Sequence, residues 1–135
     1  MHDVTSNGIY PEDYYTHSHY YNAGESYDNE SHGIIRSKKG RPNNYVTIYR
    51  AIPKNSPKGT KINPGDWITI NRKYAHDHGL SNLGGKGNYR IISKNLRANE
   101  IYTDGNLNFS GSESLIAGNL SSLLFGKDII PSGVR

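Results

Sequence analysis

The run YVTIYRAIP at positions 45–53 constrains the fold more than any other stretch of the chain. Side chains of a strand alternate between its two faces. Here Val46, Ile48 and Arg50 fall on one face, and Thr47, Tyr49 and Ala51 on the other. A strand with apolar groups on both faces calls for cover on both. Proline lacks the N–H that a ladder needs, so Pro53 ends the strand. Tyr49 and Arg50 occupy late positions where a purely structural strand would carry aliphatics, so a reason beyond packing is needed.

A chain of 135 residues is about one domain with one core. Only 33% of the residues are hydrophobic, and the 11 tyrosines supply much of the bulk. Tyrosine can pack its ring and hydrogen-bond its hydroxyl. Tyr10, Tyr14, Tyr15, Tyr20, Tyr21 and Tyr27 crowd into residues 1–33, with turn signals at Asn7-Gly8 and Ala23-Gly24. This predicts an irregular arm with one helical turn after Pro11, ordered only by packing onto the rest. Residues 26–39 read as a short helix that stops at Gly40, with Pro42 beyond it. Residues 1–42 are thus the arm and short helix, and residues 43–135 the core of a single α+β domain.

Asn63-Pro64-Gly65-Asp66 has type II turn chemistry, proline second and glycine third, and leads into a strand over residues 67–70. Asn71 is suited to cap a helix over residues 72–78, closed by Gly79. Residues 83–88 form a glycine-rich connection. Their GGKG lacks both the preceding strand and the Gly-Lys-Ser/Thr ending of a phosphate cradle. A second strand follows over residues 89–96, then a short segment at Glu100-Ile101-Tyr102 and a turn at residues 103–106. Beyond it, Leu115-Ile116 reads as a strand fragment, Leu120, Leu123 and Leu124 have helical spacing, and Ile129-Ile130 suits a sheet edge.

The formal charge is +4. Its densest basic run, Arg36, Lys38, Lys39 and Arg41, suits either a solvated helix end or an anionic partner such as a nucleic acid or a dinucleotide. No cysteine is present, so disulfides and thiolate metal sites are excluded. His17 with His19 and His76 with His78 could meet at a metal, but no carboxylate pattern accompanies them and none is expected. No run of 18 apolar residues occurs, and MHDVTSNGIYPEDYY lacks the basic-then-apolar pattern of a secretory signal. The expectation is a cytoplasmic protein without membrane partners.

The order of these features is a strand ending in Tyr-Arg, a turn into a strand with Thr, a helix containing Tyr-Ala, a glycine-rich loop, a strand and a turn. It resembles the small ADP-ribosyltransferase-like domains of phage head and polyvalent proteins. VTIYRAIP (46–53), INPGDWITINRKYAHDHG (62–79), YRIISKNL (89–96) and EIYTDGN (100–106) carry the likeness. With HDVTSNGIYPEDYY it spans residues 2–106, and GDWIT-x5-A-x-x-HG is its most specific part.

The resemblance implies a small split β-sheet and NAD as the bound molecule. It also implies ADP-ribosyl transfer to a host protein or another macromolecule. In the arginine/serine/glutamate type, the first core strand presents an arginine to NAD pyrophosphate. Arg50 matches it, beside Tyr49. The Ser-Thr-Ser strand corresponds to Trp67-Ile68-Thr69, in which Thr69 keeps one hydroxyl. The catalytic glutamate corresponds to Glu113, where Glu-x-Glu has become Ser-Glu-Ser, and Glu100 is the rival carboxylate. Arg50 could instead cover a sheet edge or pair with Asp66. The alternative function is an inactive module of the same fold that inhibits a host protein or binds nucleic acid.

Overall fold

The computed structural model describes residues 2–6, 10, 12–21, 28–103 and 123–126. In chain order the elements are β1 (His2–Asp3), α1 (Asp28–Ser37), β2 (Tyr45–Pro53), β3 (Trp67–Ile68), α2 (Arg72–Asn82), β4 (Tyr89–Arg97), β5 (Ile101–Thr103) and β6 (Leu123–Phe125). Turns of 3-10 helix lie at Glu12–Tyr15, Ser18–Tyr21 and Ala98–Glu100. Among the described residues this is an α+β fold with two antiparallel sheets. One has four strands in the order β1-β5-β6-β3, and the other pairs β2 with β4.

The period-two pattern of β2 decides how its sheet is covered. Nine residue pairs run from Tyr45 opposite Arg97 to Pro53 opposite Tyr89. On one face Val46, Ile48 and Leu96 are buried in the core with Ile62, Ile68, Ile101 and Leu123. Each such aliphatic contributes roughly 2 kcal/mol by leaving water. The opposite face is covered only over its second half. Ala51 is buried there, whereas Tyr45 is 61% exposed and Thr47 is exposed and donates to Asn95 Oδ1 at 2.7 Å.

Local signals set the ends of the elements. The type II turn forms as expected, with Asp66 N–H donating to Asn63 O at 3.0 Å, and the Asp66 carboxylate accepts from Asn63 N–H at 2.8 Å. Asn71 caps α2 by accepting from Lys73 N–H at 2.9 Å. Gly40, at φ 70, lies just past α1, and its N–H donates to Thr5 O at 3.0 Å, fastening the amino-terminal segment. The arm packs on α1 through its tyrosines. Tyr14 is 0% exposed, and its ring centroid lies 4.9 Å from that of Tyr10 and 5.2 Å from that of Tyr15. Its hydroxyl shares a 2.9 Å hydrogen bond with His32 Nδ1.

Three expectations are corrected. Gly79 does not close the second helix, which continues to Asn82. Instead it lets the helix approach β4, because a Cβ there would lie 2.4 Å from Cδ2 of the Tyr89 ring. Leu123 and Leu124 belong to a strand, not a helix, and with Phe125 they are 0%, 1% and 5% exposed. β6 lies between β5 and β3, where consecutive apolar residues are all covered and leave no periodicity to read. The strand expected over residues 67–70 stops at Ile68, and Thr69 continues only as an isolated bridge to Tyr49. The expectations for Leu115-Ile116, Leu120 and Ile129-Ile130 lie outside the described residues.

Candidate functional site

Tyr49 and Thr69 join the two sheets. Tyr49 N–H donates to Thr69 O at 2.8 Å, and Thr69 N–H donates to Tyr49 O at 3.0 Å. The first two expected site segments are therefore neighbours across the junction. Their side chains do not all meet, however. Residues paired across an antiparallel bridge share a face, and successive residues oppose, so Tyr49 and Thr69 lie on one face and Arg50 starts from the other.

Thr69 is 3% exposed, and its Oγ1 accepts from Asn71 N–H at 3.1 Å. Asn71, 1% exposed, donates through Nδ2 to Ser31 Oγ at 3.2 Å. The Thr69 hydroxyl thus belongs to a buried polar cluster that ties the α2 cap to α1, and it does not open to a ligand. Tyr49 is half-buried, with the Arg72 guanidinium 5.8 Å from its ring centroid, within cation–π range.

Arg50 is half-buried and donates from Nη1 to Trp67 O at 2.7 Å. Asp66, the alternative partner expected from the sequence, accepts within its own turn. Among the described residues this is its one hydrogen bond, which uses one of the five guanidinium donors. Desolvation and then the charge of Arg50 lower the His78 imidazole below its usual 6.5. Both act the same way, since each penalises the protonated ring. Glu113 lies outside the described residues. Glu100, its rival, is exposed and accepts from Arg97 N–H at 2.9 Å, closing the turn before β5.

The remaining candidates are engaged structurally. His76 Nδ1 shares a 2.9 Å hydrogen bond with the Tyr89 hydroxyl, and the His17 and His19 ring centroids are 6.1 Å apart. Among the described residues no group of three potential metal ligands occurs. The basic run is not one free strip, for Lys39 Nζ lies 4.1 Å from the Tyr15 ring centroid and Arg36 Nε donates to His32 O at 3.4 Å. No helix of the described residues is long and apolar enough to cross a membrane.

A cleft that the sequence did not suggest lies beside Arg50. It has a volume of about 370 Å³ and is lined by Thr60, Lys61, Ile62, Ile92, Ser93 and Lys94. Ile92 is the cross-strand partner of Arg50, but Tyr49, Arg50 and Thr69 do not line it. Lys61 and Lys94 are distant in sequence, and no local motif links them. Scans against protein-family models, curated proteins and solved structures found no match to this chain.

Proposed function

We propose that the chain is an ADP-ribosyltransferase-like domain that binds NAD at the sheet junction and transfers ADP-ribose to a host protein inside the host cell. The observation that carries this reading is the reciprocal Tyr49–Thr69 bridge. It sets the Tyr-Arg strand beside the GDWIT segment, the adjacency expected of the first two motifs. Arg50 fits a pyrophosphate through its remaining donors. The buried Thr69 hydroxyl does not fit a ribose-positioning role, so ribose contacts fall to other groups. NAD supplies the transferable group: the bond between nicotinamide nitrogen and the anomeric carbon breaks, its electron pair leaves with nicotinamide, and an acceptor nucleophile takes the carbon and loses its proton. Glu113 is the carboxylate that stabilises positive charge growing at that carbon.

A second reading rests on the same geometry. Arg50 braces Trp67 and Thr69 braces Asn71, the roles these residues would keep in an inactive module that binds a host macromolecule. Nicotinamide release, label transfer and NAD affinity separate the two. Glu113→Gln is expected to cut turnover roughly a hundredfold, about 3 kcal/mol of transition-state stabilisation, with NAD affinity kept. Arg50→Ala is expected to weaken NAD binding about tenfold. Wild-type protein that neither binds NAD nor releases nicotinamide is the binding module. Loss of turnover at Glu100→Gln but not at Glu113→Gln moves the carboxylate to Glu100.

A further inference from the structure

We infer that the cleft between residues 60–62 and β4 binds a phosphoryl group carried on a small apolar body. Its floor is apolar, with Ile62 2% exposed and Ile92 half-buried. Its charged wall is cationic, with Lys61 and Lys94 both exposed at the mouth. Lys94 Nζ lies 5.5 Å from the Phe125 ring centroid. That contact holds the ammonium over the ring face, and among the described residues no hydrogen bond takes its N–H donors.

The wall opposite β4 is braced before any ligand arrives. Arg90 Nη2 donates to Ser56 O and to Pro57 O, each at 3.1 Å. Thr60 donates to the same Pro57 oxygen from its N–H at 3.1 Å and from its hydroxyl at 2.6 Å. The segment that presents Lys61 is therefore held to β4 by an arginine on β4 itself. Pre-organisation of this kind lowers the ordering cost of binding.

The chemistry of the cations selects the anion. Ammonium groups act as point charges, and two of them attract a dianionic phosphate more strongly than a monoanionic carboxylate. The cleft offers two lysines and no arginine among its lining residues. At about 370 Å³ it accepts one small molecule, near the lower end of the usual ligand-site range of roughly 300–1,000 Å³.

The test is titration of the full chain with phenyl phosphate at low salt, followed by two-dimensional ¹H–¹⁵N spectra, with benzoate and benzyl alcohol as parallel arms. Saturable shifts are expected at the amides of Thr60, Lys61, Ile62, Ile92, Ser93 and Lys94, with millimolar or tighter affinity. Benzoate is expected to bind at least about threefold more weakly, and benzyl alcohol without saturation. Lys61→Gln with Lys94→Gln should weaken phenyl phosphate about tenfold, and each single change about threefold. Lys54→Gln should leave it unchanged, and NAD titrated in parallel on the Lys61→Gln, Lys94→Gln double variant should bind as in wild type, so this site stands or falls apart from the NAD reading. The inference is overturned by non-saturating shifts, by equal binding of benzoate, or by full affinity for phenyl phosphate in the double variant.

Discussion

Replacing Gly79 with alanine sets two opposed effects against each other at one atom. In an exposed helix alanine is favoured over glycine by about 1 kcal/mol. Here the new Cβ would lie 2.4 Å from Cδ2, 2.5 Å from Cγ and 2.6 Å from Cε2 of Tyr89. Those atoms include the root of the ring, so it cannot simply swing its tip aside. Its hydroxyl is also held by His76 Nδ1 at 2.9 Å. Overpacking costs roughly 1–3 kcal/mol, and losing the hydrogen bond about 1 kcal/mol more. Against the helix gain, the expected net loss is about 2 kcal/mol. With a urea m-value of about 2 kcal/mol/M, the unfolding midpoint falls by about 1 M. The decisive arm repeats the change in a Tyr89→Ala background, where the ring is gone and Gly79→Ala should stabilise by about 1 kcal/mol. The same sign in both backgrounds would mean that ring contact is not what keeps glycine there.

Asn71→Ala removes the α2 cap and strands Ser31, so a loss of about 2 kcal/mol in urea unfolding is expected; Asn71→Asp should retain part of it by keeping the acceptor for Lys73 N–H, and a loss near zero for alanine would refute the capping role. Desolvation, and secondarily the neighbouring Tyr10 and Tyr15, push the Tyr14 hydroxyl above its usual 10.0. The folded state then holds a proton that the unfolded state releases, so stability falls as pH rises past 10.0. Unfolding midpoints measured across that range should drop less steeply in Tyr14→Phe. His78 has the opposite slope: its lowered imidazole stays unprotonated in the fold, so stability is full above 6.5 and declines as pH falls through the depressed folded value. Replacing His78 with glutamine should flatten that acid limb, and an unchanged limb would assign it elsewhere.

What could be read from the sequence follows the range of the forces involved. The β2 pattern, the 63–66 turn and the Asn71 cap are settled within a few neighbouring residues, and each appears where the chain dictates it, whereas α1 ends at Ser37, before Gly40. Gly79 reads as a helix stop because a terminating glycine and a close-packing glycine look alike until the Tyr89 ring is placed. Leu123–Phe125 carried no usable period because both faces are covered. At the candidate site the Tyr49 and Thr69 segments are adjacent, but the Arg50 and Thr69 side chains leave from opposite faces and Thr69 is buried, so the two do not open to one cavity. The fate of their side chains was decided by Ser31, Asn71 and Trp67, which lie on other elements. The Lys61–Lys94 cleft was invisible because only the pairing of β4 and the bracing by Arg90 bring its walls together.

The four-stranded sheet draws β1, β3, β5 and β6 from both ends of the described chain, and β6 separates β5 from β3. A ribosome delivers β6 last of the four. Until residues 123–125 have left the exit tunnel, β3 and β5 have no strand between them, and Trp67, Ile68, Ile101 and Tyr102 lack their β6 partners. The β2–β4 pair with α2 has all its strands by Arg97, so it can assemble during synthesis. Closure of the larger sheet therefore waits for the last of its strands, after the β2–β4 pair is already complete.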